Sequence, residues 1–321
     1  MTPRPRAMIL AAGFGTRLGG LSELRPKPML PICGAPLVRW SVLWLRAQGI
    51  REIVINLHHL GEQIIDALGD GSSLGVDIVY SREDDELLGT GGGLRRARPH
   101  LDDGRDTPFV VVNGKILLDL DLGPVLAQHR ARAAEATMVL RPDPHPERWG
   151  NPRADDSPDA VRFLASLRPL MFTGVHVLSP RFLDRVPATG ASCIVRTAYA
   201  ELYRERGEVS RVVTRRYWHE HSTADGYLEG VARVLAGDAE LAHAERPLRG
   251  VDPSAAVEGG AEIVAPVWVG RRARIEAGAR VGPFVQVGDG ATVGRGARLT
   301  RAVVWDGVRV DEDVVNAVRA R

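Results

Sequence analysis

Cysteine is nearly missing: Cys33 and Cys193 are the 2 present in 321 residues. They stand far apart and outside any Cys-x-x-Cys pair, so neither a disulfide framework nor a zinc site is indicated. Aromatic residues make up only 5%. No apolar run reaches the ~18 residues of a membrane helix, and the apolar stretch behind the basic first residues is too short for the core of a secretion signal. Charge of one sign is missing too: 42 Lys and Arg face 40 Asp and Glu, a formal net charge of +2. A broad nucleic-acid footprint needs a clustered basic face, whereas a small anionic substrate needs only a few well-placed Arg and Lys. These absences point to a reducing cytoplasm, with no membrane and no nucleic-acid partner. At roughly 100–200 residues per domain, the length suggests two domains, each able to bury a core.

Glycine, by contrast, is abundant, with 35 residues. Residues 7–12 (AMILAA) read as a short buried strand, followed by a Gly-rich loop over 13–20. The segment 35–48 reads as a helix, with Leu37, Trp40 and Trp44 at helical spacing as core residues and Gly49 as the stop. Strands are predicted at 52–57, 76–80, 109–112 and 137–140, with helices at 62–68 and 122–134 and a glycine-opened helix start at 91–98. This alternation predicts a mostly parallel sheet covered on both faces. In such sheets ligands bind at the carboxyl ends of the strands, where the loops at Gly13, Gly91 and Asn113 should converge. The Pro- and charge-rich stretch 141–159 reads as a surface excursion. Strands follow at 170–178 and 209–217, helices near 193–206 and at 224–235, and a linker at 237–249.

The last segment differs in kind. Val251, Val257, Ile263, Val269, Ile275, Val281, Val287, Val293, Leu299 and Trp305 recur every six residues. Four residues after each stands a second small or apolar residue, from Ala255 to Val303, ending on the outlier Arg309, which reads as a fraying or capping last turn. This is the hexapeptide repeat of a β-helix, each hexad forming one flat face of a triangular coil with its aliphatic residue inward. Such modules often mediate assembly, so a homo-oligomer through this segment is expected. The domain boundaries predicted are 1–240 and 241–321.

One stretch carries chemistry: LAAGFGTRLGGLSELRPKPMLPICGAPLV, residues 10–38. A buried strand ends in Gly13-Phe14-Gly15-Thr16-Arg17, whose glycines let backbone N–H groups turn toward a phosphate chain. Arg17 adds a bidentate donor. Pro26 and Pro28 fix the backbone on both sides of Lys27, which aims a point charge. The stretch lacks both the P-loop and the dinucleotide-binding glycine patterns. As a whole it resembles the N-terminal signature of the sugar-1-phosphate nucleotidyltransferase (NDP-sugar pyrophosphorylase) family, roughly LAAGxGTRLxPLTxxxPKPxxPVxGxPL, with Gly20-Leu21-Ser22 in place of the usual PLT. Residues 52–57 and 60–64 look like the family's second strand and helix, Leu88-Gly89-Thr90-Gly91-Gly92-Gly93 like its base-recognition loop, and Phe172-Thr173-Gly174-Val175 like its sugar-contacting strand. The resemblance covers most of residues 7–236, and some members carry a C-terminal hexapeptide β-helix, notably mannose-1-phosphate and glucose-1-phosphate nucleotidyltransferases.

The resemblance implies a Rossmann-like, GT-A-like α/β domain followed by a left-handed parallel β-helix. It implies a reaction in which a sugar 1-phosphate oxygen attacks the α-phosphorus of a nucleoside triphosphate and pyrophosphate leaves. By motif match Ala12, Gly13, Gly15, Thr16 and Arg17 would hold the triphosphate, with Arg17 and Lys27 as the catalytic cations. Gly91 and Gly92 would flank the base, and Asn113, Lys115 and Gly174 the sugar phosphate. Members carry Mg²⁺ on two aspartates, and here the sequence departs. The Asn-Gly-Asp segment reads Asn113-Gly114-Lys115, and a lysine cannot ligate Mg²⁺. The second aspartate position is Glu220, in Trp218-His219-Glu220-His221-Ser222-Thr223. Either Lys115 partly replaces the cation's charge, or the metal sits on Glu220 with help from Asp119 or Asp121, or the domain binds ligand without turnover. The Glu-Lys-Pro segment expected after Leu140 is absent. The β-helix favours a mannose-1-phosphate guanylyltransferase-like member. Residues 52–93 look closer to a uridylyltransferase acting on an amino-sugar 1-phosphate, and a non-catalytic regulatory paralogue is the third reading. His58 and His59 read as satisfying loop polar groups, and His219 and His221 lack a convincing third zinc ligand. An acyltransferase role for the β-helix is disfavoured because its repeats hold no histidine to act as base.

Overall fold

The computed structural model describes residues 4–143, 151 and 153–321. The apolar, β-branched runs become strands because their side chains suit a sheet buried on both faces. These are β1 (Ala7–Leu10), β2 (Glu52–Leu57), β3 (Asp77–Arg82), β4 (Phe109–Asn113), β5 (Ala136–Pro142), β6 (Leu170–Leu178) and β7 (Ser210–Val213). They form a 7-stranded sheet in the order β7-β5-β6-β4-β1-β2-β3. β1 to β4 run parallel to one another, β7 runs parallel to β5, and β6 is antiparallel to both its neighbours. Leu10 pairs with Asn56 of β2 and with Asn113 of β4, so the segments after these strands leave from one edge.

Helices α1 (Leu37–Ala47), α2 (Gly61–Leu68), α3 (Gly89–Leu101), α4 (Gly123–Ala131), α5 (Pro158–Leu167) and α6 (Ala198–Arg206) alternate with these strands. Met8, Phe109, Met138, Phe163, Phe182 and Tyr199 share one buried cluster, and Phe163 stacks parallel on Tyr199 with ring centroids 5.7 Å apart. Each such side chain contributes about 1.5–3 kcal/mol by leaving water. Trp40 and Trp44 are core residues as expected, their indole N–H groups donating to the carbonyls of Ile32 and Leu120.

Several predicted elements are shorter than the sequence suggested, among them the strand expected over 209–217, which spans only Ser210–Val213, and the helix expected over 122–134, which spans Gly123–Ala131. The helix expected from 35 starts at Leu37, because Ala35–Pro36 pairs with Pro31–Ile32 in a hairpin. Its turn residues Cys33 and Gly34 both take positive φ, 45° and 81°, as a tight I′-like turn demands. The helix expected near 193 begins only at Ala198. Much of the excursion predicted over 141–159 lies outside the described residues.

Compactness divides the chain into two units. One is built from the residues up to Phe14, Ser41–Gly114 and Leu120–Trp218 and contains the sheet; the other is built from Gly15–Trp40, Lys115–Asp119 and His219–Arg321. The second unit contains the left-handed β-helix. Its short parallel strands stack in three ladders of 5, 4 and 4 strands, and Val269, Ile275, Val281, Val287, Val293 and Leu299 fill its interior.

The six-residue phase does not run unbroken to Trp305. Val287 pairs with Val304 and Val293 with Val310, one residue short of the three-hexad step. Val304 and Val310 therefore take the inward positions. Trp305 lies just past its strand, buried, with the Arg25 guanidinium over its ring at 4.8 Å. Arg309 caps nothing: it is the strand partner of Thr292 and pairs with Glu276 at 2.8 Å. No helix among the described residues is long and apolar enough to cross a membrane.

The flank of this β-helix also holds the segment that carries Lys27. Gln286 is 1% exposed. Its amide donates to the Pro31 carbonyl at 3.0 Å and accepts from the Cys33 N–H at 2.8 Å. The Tyr227 hydroxyl, from helix α7 (Ala224–Ala236), donates to the same Pro31 carbonyl at 2.6 Å. Gln286→Ala should lower unfolding free energy by about 1–3 kcal/mol, since it strands the buried Cys33 N–H. A denaturant titration with an unchanged midpoint would contradict this account.

Candidate active site

In the sheet-bearing unit, the loop after β1 is fixed from the side. The Ala11 N–H donates to Asn56 Oδ1 at 2.7 Å, and Asn56 Nδ2 donates to Glu83 Oε1 at 2.7 Å. Glu83 Oε2 in turn accepts from the Leu88 N–H at 2.8 Å, just ahead of α3. A carboxylate that is 1% exposed thus joins the backbone before Gly13 to the backbone before Gly91. Ala12 is buried, and a side chain at Gly13 would meet nothing within 4 Å, so the loop surface there is open.

Gly91, Gly92 and Gly93 pack tightly. Added Cβ atoms would lie 2.5 Å from Ser192 Oγ, 2.9 Å from Leu88 Cβ and 2.7 Å from Glu83 Oε1 respectively. Neighbouring protein atoms therefore give this run a packing reason of its own. On the adjoining strands β4 and β6, Asn113 and Gly174 face each other. Gly174 has φ 80°, and a Cβ there would fall 2.3 Å from Asn113 Nδ2. His58 Nδ1 lies 2.6 Å from the Glu83 carbonyl, the loop-satisfying role expected of it.

In the other unit, Gly15 turns the chain at φ 74° into a single 3₁₀ turn, Thr16–Leu18, which presents Thr16 and Arg17 to solvent. Pro26 is extended, and Lys27–Met29 forms a second such turn. The Lys27 side chain runs back along Gly15, with Cε 3.6 Å from where a Cβ would stand. The short strand Ile116–Leu118 pairs with Trp218–Glu220, and the His221 N–H donates to the Lys115 carbonyl at 3.0 Å. This pairing puts Lys115 Nζ 3.0 Å from Glu220 Oε1. Arg17 Nη2 lies 3.8 Å from the same oxygen, and the Ser222 hydroxyl donates to it.

Burial opposes ionisation of Glu220, but Lys115, the Ser222 hydroxyl and Arg17 outweigh it and hold the carboxyl below its usual range. Burial, then repulsion from Lys115 and Arg17, pushes Lys27 down to about 8, against the pull of Glu220. His219 Nε2 lies 2.7 Å from the Gly226 carbonyl. Burial drives His221 well below the usual histidine range, so it is neutral.

The Mg²⁺ ion expected on Glu220 does not suit this donor set. Mg²⁺ needs oxygen ligands in near-octahedral array, whereas Glu220 Oε1 already faces an ammonium, a guanidinium and a hydroxyl. Among the described residues no group of three or more His, Cys, Asp or Glu could hold a metal ion.

Comparison with known proteins places this arrangement. The "Nucleotidyl transferase" family description matches residues 6–165. An N-acetylmuramate alpha-1-phosphate uridylyltransferase of Neisseria meningitidis is 38% identical over 216 residues, covering 63% of this chain and 87% of that one. The chain belongs to the nucleotidyl transferase family. A mannose-1-phosphate guanylyltransferase of Mycobacterium tuberculosis is 30% identical over 317 residues, covering 96% of this family member and 82% of the relative. Among solved structures, a UDP-glucose pyrophosphorylase from Acinetobacter baumanii shares the fold, with TM-score 0.59 at 18% identity over 74% of this chain and 95% of that one.

Asn56, Glu83 and Gln286 were not expected from the motifs; each bonds the backbone of a segment distant in sequence or just ahead of a helix. The signal for Glu83 was faint: a charged residue just after an apolar strand and ahead of a glycine run. Glu83→Ala should cost about 1–3 kcal/mol of stability by stranding the Leu88 N–H and the Asn56 amide, and chemical denaturation measures it. The low value for Lys27 sets a pH signature. Its ammonium form binds anions and its amine form does not, so that share of anion affinity fades as pH rises through about 8. Calorimetric titration of inorganic triphosphate between about pH 7 and 9 should show wild type weakening more than Lys27→Arg, whose charge persists above pH ~12. Parallel curves for the two proteins would refute the assignment.

Proposed function

We propose that the chain transfers a nucleotidyl group from a nucleoside triphosphate to a sugar 1-phosphate, giving an NDP-sugar and pyrophosphate. One observation carries the reading: Lys115 and Arg17 converge on one carboxylate, Glu220, where the backbone turns at Gly15 beside the Lys27 side chain. In the reaction a phosphate oxygen of the sugar 1-phosphate forms a bond to the α-phosphorus. The bond from that phosphorus to the bridging oxygen breaks, and pyrophosphate leaves with the electron pair. No protein nucleophile is needed; catalysis consists of positioning the phosphates and neutralising charge that shifts onto the leaving group. On this reading Arg17 and Lys27 supply that charge, the backbone at Ala12, Gly13, Gly15 and Thr16 holds the triphosphate, and Gly91 and Gly92 flank the base. Asn113 and Gly174, in contact on adjoining strands, border the sugar.

For the finer specificity, mannose 1-phosphate with GTP is the leading reading, supported by a relative of that name whose similarity runs through the β-helix. A second reading, UTP with an N-acetylmuramate-type 1-phosphate, draws on the 38% identity of the other relative over the first part of the chain. Purified protein incubated with each nucleoside triphosphate and a panel of sugar 1-phosphates should release pyrophosphate with one pairing above the rest. Arg17→Ala and Lys27→Ala should each lower kcat/KM by about 10²–10³-fold, the scale for losing one charge-stabilising group. Retention of full activity by both variants would sink the reading.

A further inference from the structure

Glu220 is where a divalent cation is expected, yet its surroundings are those of an anchored carboxylate. We propose that this protein binds the polyphosphate of its substrate without a divalent cation at Glu220, with Lys115 as a fixed cation beside Arg17 and Lys27, and with Glu220 positioning Lys115 and Arg17. The inference rests on the transferase reading above.

Three observations support it. The contacts converge on one oxygen: Lys115 Nζ at 3.0 Å, Arg17 Nη2 at 3.8 Å and the Ser222 hydroxyl all address Glu220 Oε1. A divalent ion arriving at that oxygen would have to displace an ammonium or sit against it. The pair is also preorganised, because Lys115 immediately precedes the short strand Ile116–Leu118, which pairs with the strand Trp218–Glu220, and the His221 N–H donates to the Lys115 carbonyl. The Glu220 side chain is 9% exposed and that of Lys115 28%, so neither swings freely in solvent. Finally, the charges do not cancel. Two cationic side chains, Lys115 and Arg17, address the single oxygen Glu220 Oε1, and the Lys27 side chain runs beside Gly15, two residues from Arg17. Lys27 is 9% exposed, with its side chain packed along Gly15. Arg17, 62% exposed on its side chain, is the member that can rotate onto such a ligand. Triphosphate groups carry several negative charges, match an array of separated cations, and accept charge-assisted hydrogen bonds from each.

The decisive experiment measures binding rather than turnover. Inorganic triphosphate, UTP and GTP are titrated into the full-length protein calorimetrically, in EDTA and in Mg²⁺. Wild type should bind at least one of them in EDTA with a Kd within about threefold of that in Mg²⁺. Lys115→Asp, which places a second carboxylate beside Glu220, should lose at least about tenfold in EDTA and regain it in Mg²⁺. Lys115→Met, which keeps the length without the charge, should weaken binding in both buffers, and circular dichroism would confirm that each variant folds. Wild-type binding that vanishes in EDTA and returns with Mg²⁺ overturns the proposal, as does a folded Lys115→Met with unchanged affinity in both buffers. Binding in EDTA with no pyrophosphate release across the sugar panel would support the proposal and sink the transferase reading. Release together with strictly Mg²⁺-dependent binding would do the reverse.

Discussion

The arrangement around Glu220 depends on one constraint, the balance of charge between a buried carboxylate and the cations that face it. Like charges close together repel by about 4 kcal/mol for a pair 4 Å apart at an effective dielectric of 20, so Arg17, Lys27 and Lys115 need a counter-charge to share one neighbourhood before any ligand arrives. Glu220 supplies it, and the Ser222 hydroxyl holds the carboxylate in turn. The cluster is assembled from three distant stretches of sequence: the glycine loop, the strand after Asn113, and the strand after Tyr217.

What keeps that cluster in shape is not ligand-facing at all. The β-helix contributes Gln286 to the hairpin just downstream of Lys27, and helix α7 contributes Tyr227 to the same carbonyl. A repeat built for stacking thereby also holds the segment that carries Lys27. In the sheet-bearing unit the corresponding part falls to Asn56 and Glu83, which tie two loops through backbone N–H groups. Both devices work the same way: a buried side chain bonds backbone groups of another segment.

The family frame and the local departures from it carry different information. Similarity along the chain places it among nucleotidyl transferases, and the parallel strands with their glycine loops agree. Lys115 and Glu220 stand where the family signature led one to expect metal-binding aspartates. Their direct ion pair gives the substitution at 115 a partner and so a physical consequence.

Much was legible in the sequence, because it rests on local rules. Apolar runs between glycines pointed to a mostly parallel sheet, six-residue periodicity to the β-helix, and the Gly-x-Gly-Thr-Arg and Pro-Lys-Pro segments to Arg17 and Lys27 as candidate cations. Where the local rule ended, so did the reading. The repeat register slips by one residue after Leu299, since pairing between coils, and not the pattern within one, fixes which residue points inward. Ala35 joined a hairpin rather than a helix because the Cys33–Gly34 turn found a strand partner. The tertiary structure alone showed that Lys115 and Glu220, 105 positions apart, share a hydrogen bond, and that Glu83 and Gln286 are supports. Contacts of such long range leave no periodicity or spacing in the chain, so only folding brings them to light.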